Sequence, residues 1–327
     1  MIDITAWSAV SPYGLDATSF AAAVRARRPA MRWADPAGPP GTVASLVPGF
    51  DQRALLGRKG TKGMDRVTGL AITAVGALGG AHNRDTALVL GTTGGSVRSA
   101  MNLTRASLTA ERPYDVDPAT IPSVVMNCAA GHCAIWHGIT GPNTTIAGGR
   151  AAGLLCLAYA RRLLRAGRAS TVLCGAAEEY SAERSWLARH DTGFVGEGAA
   201  MLRLESSHAR TAQPLATVLA VGTTADEVLE RAGVRADEVW AVIAGSEAER
   251  DAVAPLFGSG ALERVPLVAE LAGDTGAVSA VFGIAAALAV AGDTPRFTVV
   301  TAAELAGPAG PSGATAAAVL RVNAAQA

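Results

Sequence analysis

Short apolar or β-branched runs recur along the chain and alternate with longer Ala- and Leu-rich stretches. Apolar runs of about four to eight residues fit strands buried on both faces, and the longer segments fit the helices that cover them. Strand candidates in the first part are residues 2–7, 86–90, 144–147, 171–174 and 199–204. The second part repeats the theme at 215–221, 239–244, 265–268, 297–301 and 316–322. Two sets of five predict an α/β protein with an internal duplication. The polar stretch 206–214 has no apolar periodicity, and it divides residues 1–210 from 211–327. These are expected to form the two halves of one compact unit. The Pro- and Gly-rich segments 35–42 and 306–315 read as loops too short for disordered linkers.

Composition sharpens this picture. Half of the 327 residues are hydrophobic but only 5% are aromatic, so the core must be built from Ala, Val, Leu and Ile, with 37 Gly allowing close backbone approach. The formal charge is zero, which argues against a nucleic-acid or membrane partner gathered by a long-range field. The basic runs Arg25, Arg27, Arg28, Arg32 and Arg161, Arg162, Arg165, Arg168 are solvated helix faces or local docking points for an acidic partner. The N-terminus lacks a basic flank and apolar core of signal-peptide type, and the longest apolar run, 277–292, falls short of the ~20 residues needed to span a bilayer. A soluble, cytoplasmic protein is expected. Cys128, Cys133, Cys156 and Cys174 show neither Cys-x-x-Cys pairing nor zinc-type His spacing, so no metal, cofactor or disulfide framework is expected, only reduced thiols.

Several motifs fall in a fixed order. Thr5-Ala6-Trp7-Ser8-Ala9-Val10 leads into Ser11-Pro12-Tyr13-Gly14, followed by Met64-Asp65-Arg66 and the Gly-rich Gly91-Thr92-Thr93-Gly94-Gly95. The densest stretch, 122–142, contains Ala130-Gly131-His132 and ends Gly138-Ile139-Thr140-Gly141-Pro142; Gly196-Glu197-Gly198-Ala199 comes later. Singly each pattern is weak, but together the chain resembles the β-ketoacyl synthases over roughly two thirds of its length. Ala232-Gly233-Val234 and Gly276-Ala277-Val278 match more loosely. The resemblance implies a thiolase-like α/β fold with duplicated five-stranded mixed sheets layered with helices, α-β-α-β-α.

It also exposes what is missing. Condensing enzymes hold a Cys thiolate at the N-terminus of a buried helix, whose dipole lowers the thiol pKa. Counted from Gly141-Pro142, that Cys falls on Arg150, and a guanidinium cannot form a thioester. The family's two histidines, which stabilise the oxyanion and the carbanion, would fall on Ala244 and Asp274. The last His is His208 and the last Cys is Cys174, so the second half supplies neither. The family lysine would fall near Ala269, and Gly307-Pro308-Ala309-Gly310-Pro311 stands in place of the Gly-Phe-Gly-Gly gating loop.

His132 and His137 are expected to be structural, as are Cys156, Cys174 and Glu197. A cation at the start of a buried helix opposes the helix dipole and needs an anion, for which Asp274, Glu247 and a ligand carboxylate are candidates, unless Arg150 bends into a wet interface. The resemblance points further, to the chain length factors, non-catalytic partners of an active ketosynthase that serve an acyl carrier protein indirectly. It places the heterodimer interface at Thr144, Thr145 and Ile146. It places the tunnel gate on Met101, Thr104 and Leu108, spaced i, i+3 and i+7 on one helix face, together with Thr120 and Met126; the alternative is that this stripe is ordinary core. That subgroup usually carries Gln where this chain has Arg150. Competing readings are an acyltransferase or hydrolase of altered chemistry, and a homodimeric acyl-binding protein.

Overall fold

A computed structural model describes residues 1–80, 84–187, 194–208, 210, 212–303 and 314–324. The principal strands are β1 (Ile2–Val10), β2 (Thr86–Thr92), β3 (Asn143–Ala147), β4 (Thr171–Glu178), β5 (Gly198–Ser206), β6 (Ala216–Gly222), β7 (Val239–Ile243), β8 (Arg296–Ala303) and β9 (Thr315–Val322). They lie in the order β7-β8-β9-β6-β1-β5-β4-β2-β3. The first half contributes five strands, with β2 parallel to β3 and β4, and β5 antiparallel to β4 and β1. The second half contributes four, and the halves join where Ile2–Ile4 pairs antiparallel with Ala216–Val218. Asp3, buried at this joint, accepts hydrogen bonds from Thr217 Oγ1 at 2.7 Å and Arg210 Nη1 at 2.9 Å.

Nine of the ten strands expected from the pattern are present. Residues 265–268 are the exception: they run into the short helix Val268–Ala272. Pro266 lacks the N–H that a ladder requires, and the segment instead delivers Asp274 to the centre of the molecule. Among the described residues the second half therefore has four strands in this sheet rather than five.

Helices cover the sheet as the resemblance implied. The helices α1 (Ala17–Arg25), α2 (Arg66–Ala77), α3 (Val97–Thr109), α4 (Cys128–His137), α5 (Ala152–Arg165) and α6 (Ser279–Ala289) fix the layers. On β2, Ala87 and Val89 face a core shared with α5 and α6, while Leu88 and Leu90 face the outer core beneath α2 and α4. Both faces of each strand are apolar for that reason, giving continuous runs rather than alternation. A third core lies under the helix Ala225–Ala232 on the far side of the second half. The layers are thus helix, sheet, central helices, sheet, helix.

Close packing at the centre depends on glycine. A Cβ on Gly153 of α5 would stand 2.6 Å from Val281 Cγ2 of α6. The loop 35–42 lies between Trp33–Ala34 and Val43–Ser45, which join Phe194–Gly196 in a small three-stranded sheet. Most of 306–315, including 307–311, lies outside the described residues, as do 209 and 211 near the expected division.

Candidate functional site

The central helix α5 begins beside the C-terminal end of β3, after one 3-10 turn, Gly149–Ala151, that carries Arg150. The turn is tight because Gly148 would otherwise meet Leu155 Cδ1 at 2.7 Å and Gly149 adopts φ 53°. Arg150 is only 6% exposed. Its Nη2 donates to Asp274 Oδ2 at 2.8 Å and its Nε to Oδ1 at 3.3 Å. The anion at Arg150 is therefore Asp274. Glu247 is 70% exposed and lies 3.8 Å from Arg250 instead.

Asp274 is held by its backbone as firmly as by its side chain. Its N–H donates to Phe194 O and its carbonyl accepts from Gly196 N, each at 2.9 Å, so it bridges to the Gly-Glu-Gly-Ala motif segment. Gly273 turns the chain at φ 79°, and Oδ1 of Asp274 accepts from Gly276 N at 2.9 Å. Burial alone would raise this carboxyl, but the charges of Arg150 and Arg184 and these hydrogen bonds prevail, holding it below the usual range.

Arg184 ties the surroundings together. Its guanidinium donates to Gly196 O at 2.7 Å, Asp274 O at 3.0 Å and Glu179 O at 3.1 Å, and it approaches Glu178 at 4.0 Å. Glu178 is fully buried and accepts from Thr93 N at 3.0 Å and Ala277 N at 3.3 Å. Burial pushes it up despite Arg184. Glu249 is buried on the other side, accepting from Gly245 N at 2.9 Å next to Ala244, and burial lifts it to about 7 against the pull of its hydrogen bonds and of Arg150. Glu179, bonded by Ser96 and Val67, is likewise lifted to about 7 by burial. Glu178, Arg184 and Glu249 were not foreseen. The adjacent pair Glu178-Glu179 ending an apolar strand was the available signal, since buried carboxylates require partners.

The arrangement holds charge rather than creating a nucleophile. The group at the start of α5 is a permanently protonated guanidinium, and its partner carboxylate is engaged on both oxygens. Glu197 is structural in the same sense: it takes two bonds from Arg66, at 2.6 and 2.7 Å, and one each from Val47 N and Tyr180 N. This joins the Met-Asp-Arg motif to the Gly-Glu-Gly-Ala motif. His137 Nε2 lies 2.9 Å from Ile72 O, while His132 is exposed with Nδ1 3.8 Å from Cys128 Sγ. Cys133, Cys156 and Cys174 are buried, and burial pushes all three thiols up. Among the described residues no group of three His, Cys, Asp or Glu could hold a metal ion.

The expected gate residues divide into two sets. Helix α3 has no buried residue; Met101 is 41% and Leu108 80% exposed, and Thr104 shares their outward face. Thr120 instead lines a groove of about 870 Å³ with Asn102, Leu103 and Ala106 from the other face of α3. Met126 is 48% exposed, and its Cα would stand 3.0 Å from a Cβ on Gly95. Thr144, Thr145 and Ile146 lie on β3, the terminal strand, half-buried, and no described strand pairs with its outer edge. Exposed Ile121, Val125, Ile135 and Trp136 belong to segments that pack in sequence between α3 and β3.

Residues 1–197 match the family described as β-ketoacyl synthase, N-terminal domain. The 3-oxoacyl-[acyl-carrier-protein] synthase 2 of Vibrio cholerae is 28% identical over 216 residues, 56% of this chain and 52% of that protein. The chain thus spans about half the length of the curated relatives it matches. A structure described as the ishigamide ketosynthase/chain length factor matches with TM-score 0.91 and 41% identity, covering 98% of this chain and 99% of that one. A β-ketoacyl synthase from Burkholderia phymatum shares the fold at TM-score 0.78 and 20% identity, over 98% of this chain and 99% of the other. Among the described residues no helix is long and apolar enough to cross a membrane. The ordered motifs, the layered sheet and the central helix with its altered N-terminus come together here: the chain belongs to the β-ketoacyl synthase family.

Proposed function

We propose that this chain is a non-catalytic, chain length factor-like subunit that pairs with an active ketosynthase in a type II polyketide or fatty-acid-like synthase of the cytoplasm. The observation that carries the reading is the ion pair between Arg150 and Asp274 where the family's Cys and second His would stand. With Ala244 at the first His position, the centre lacks a thiolate, an oxyanion donor and a proton-transfer imidazole at these three places. The scaffold persists around the lost chemistry, which suits a subunit valued for its shape.

The likeness to the ishigamide ketosynthase/chain length factor supports the subgroup. A structure described as AntDE:AntF, an acyl-carrier protein in complex with its ketosynthase, shares the fold at TM-score 0.77 and 16% identity. Pairing would use the open edge of β3 at Thr144, Thr145 and Ile146. The outward stripe Met101, Thr104 and Leu108, with Thr120 and Met126, would close the end of the partner's acyl tunnel. The acyl carrier protein would deliver to the partner and meet this chain only indirectly.

Co-expression with a ketosynthase that retains its Cys and both His tests the proposal. The two chains should co-purify and make a product, whereas the isolated chain incubated with acyl carrier donors should show no mass increase. A stable acyl adduct on Cys128, Cys133, Cys156 or Cys174 that turns over would sink the non-catalytic reading.

A further inference from the structure

Away from the altered centre, the turn after β1 and the chain leaving α1 enclose a groove of about 1040 Å³. Pro12, Tyr13, Met31, Trp33, Val47 and Phe50 supply most of its apolar wall. Trp33 and Met31 are 54% and 65% exposed, large apolar side chains turned to solvent in a protein with few aromatics. Ligand sites of this kind are concave and mostly apolar, with a few placed polar groups that fix orientation.

Two cations reach the groove, and they differ. Arg66 is neutralised by its bidentate contact with Glu197. Arg28 makes no ion pair among the described residues. The lining carboxylate, Asp51, keeps its charge but is turned to the backbone, its Oδ1 accepting from Arg53 N at 2.7 Å and Ala54 N at 3.0 Å at the start of Gln52–Leu56, and it forms no ion pair with Arg28 among the described residues. Arg28 is also placed by strain. Arg27 has φ 48°, the one non-glycine residue with positive φ among the described residues, and its Nη2 donates to Glu263 O and Arg264 O in the other half of the molecule. That turn sends Arg28 N to Ala23 O at 3.0 Å and leaves Arg28 O 2.7 Å from the Tyr13 hydroxyl. The Arg28 guanidinium then stands 5.7 Å from the centroid of the Tyr13 ring.

We infer that this groove binds an amphipathic monocarboxylate, its hydrocarbon body on Tyr13, Trp33 and Phe50 and its carboxylate on Arg28. Charge complementarity selects the class: a guanidinium without an ion-pair partner among the described residues suits one carboxylate, and an apolar wall suits an aliphatic or aryl-aliphatic body. The inference does not depend on the pairing with a ketosynthase.

Titration of the purified protein with octanoate and with octanol, read by calorimetry and by tryptophan fluorescence, tests it. Octanoate should bind saturably at one site per chain. Arg28→Met should weaken octanoate at least ten-fold and leave octanol unchanged, because only the carboxylate is read by Arg28. Trp33→Ala should weaken both ligands and remove most of the fluorescence change, whereas Leu108→Trp, in the gate stripe, should leave octanoate affinity as it is. Absence of saturable octanoate binding overturns the proposal. So does an unchanged ratio of octanoate to octanol affinity in Arg28→Met, or a loss of octanoate binding in Leu108→Trp.

Discussion

At the scale of single residues, the pairing of Arg150 with Asp274 makes a definite energetic demand. Two charges at 7% and 10% side-chain exposure are tolerable only together. Replacing either alone, as in Arg150→Met or Asp274→Ala, should cost about 3–5 kcal/mol by stranding the other. The double change Arg150→Met with Asp274→Leu should cost far less than the sum, and a urea-denaturation cycle would measure the coupling. The need for an anion at Arg150 was legible in the sequence, because a cation opposes the dipole of the helix it begins. Which anion it met was open, since that depends on how Gly273 turns the chain toward Phe194–Gly196. The carboxyls at Glu179 and Glu249 make a second demand. Burial raises each from 4.5 to about 7, so the folded state binds protons more tightly than the unfolded one. Stability is then fully present below about pH 4.5 and lost as pH rises toward and through 7, by up to about 3 kcal/mol per group. Asp274, held low, acts oppositely and is lost only in acid. Melting temperature should fall between pH 5 and pH 8, and Glu249→Gln should flatten that slope; an unchanged slope would count against the assignment.

At the scale of elements, helices α5 and α6 cross where Gly153 admits Val281 at 2.6 Å from its missing Cβ. Gly153→Ala should therefore overpack the central layer and cost about 1–3 kcal/mol, although alanine is the better helix former on a free surface. The same substitution at Gly131 on α4 meets nothing within 4 Å and should be neutral or stabilising. Thermal melts of the two variants give opposite signs if packing decides. Most elements could be read from the pattern because strands buried on both faces, such as 86–90, leave continuous apolar runs. The failure at 265–268 has a visible cause, for Pro266 stands inside the run. The length of α3 was harder to foresee, because none of its residues is buried and its Met101, Thr104 and Leu108 stripe is exposed among the described residues. The joint between β1 and β6 was not legible at all, since antiparallel pairing of Ile2–Ile4 with Ala216–Val218 leaves no periodic trace.

At the scale of the whole molecule, the sheet ends on β3, whose outer edge no described strand pairs, and the chain presents Met101, Leu108, Ile135 and Trp136 to solvent. Natural proteins seldom leave such an edge uncovered, and obligate interfaces of this sort commonly bury about 2,000 Å² or more. Sedimentation of the co-expressed chains should therefore show a heterodimer, and monomeric migration in the ketosynthase's presence would count decisively against the pairing. On the proposed pairing, the outward face of α3 would bear on the partner. A growing acyl chain stops when its next extension must overlap close-packed atoms, and overpacking costs about 1–3 kcal/mol, enough to bias elongation by roughly ten-fold or more. Met101→Trp or Leu108→Trp should then shorten the product, and Met101→Ala or Leu108→Ala should lengthen it. Leu103→Ala, on the face that lines the groove with Thr120, supplies a control from the same helix. A change confined to the outward set would place the gate on that face. Product distributions unaltered by all four outward variants, in heterodimers that still assemble, would remove this stripe from the gate and leave Thr120 and the groove beside it as the surface to test.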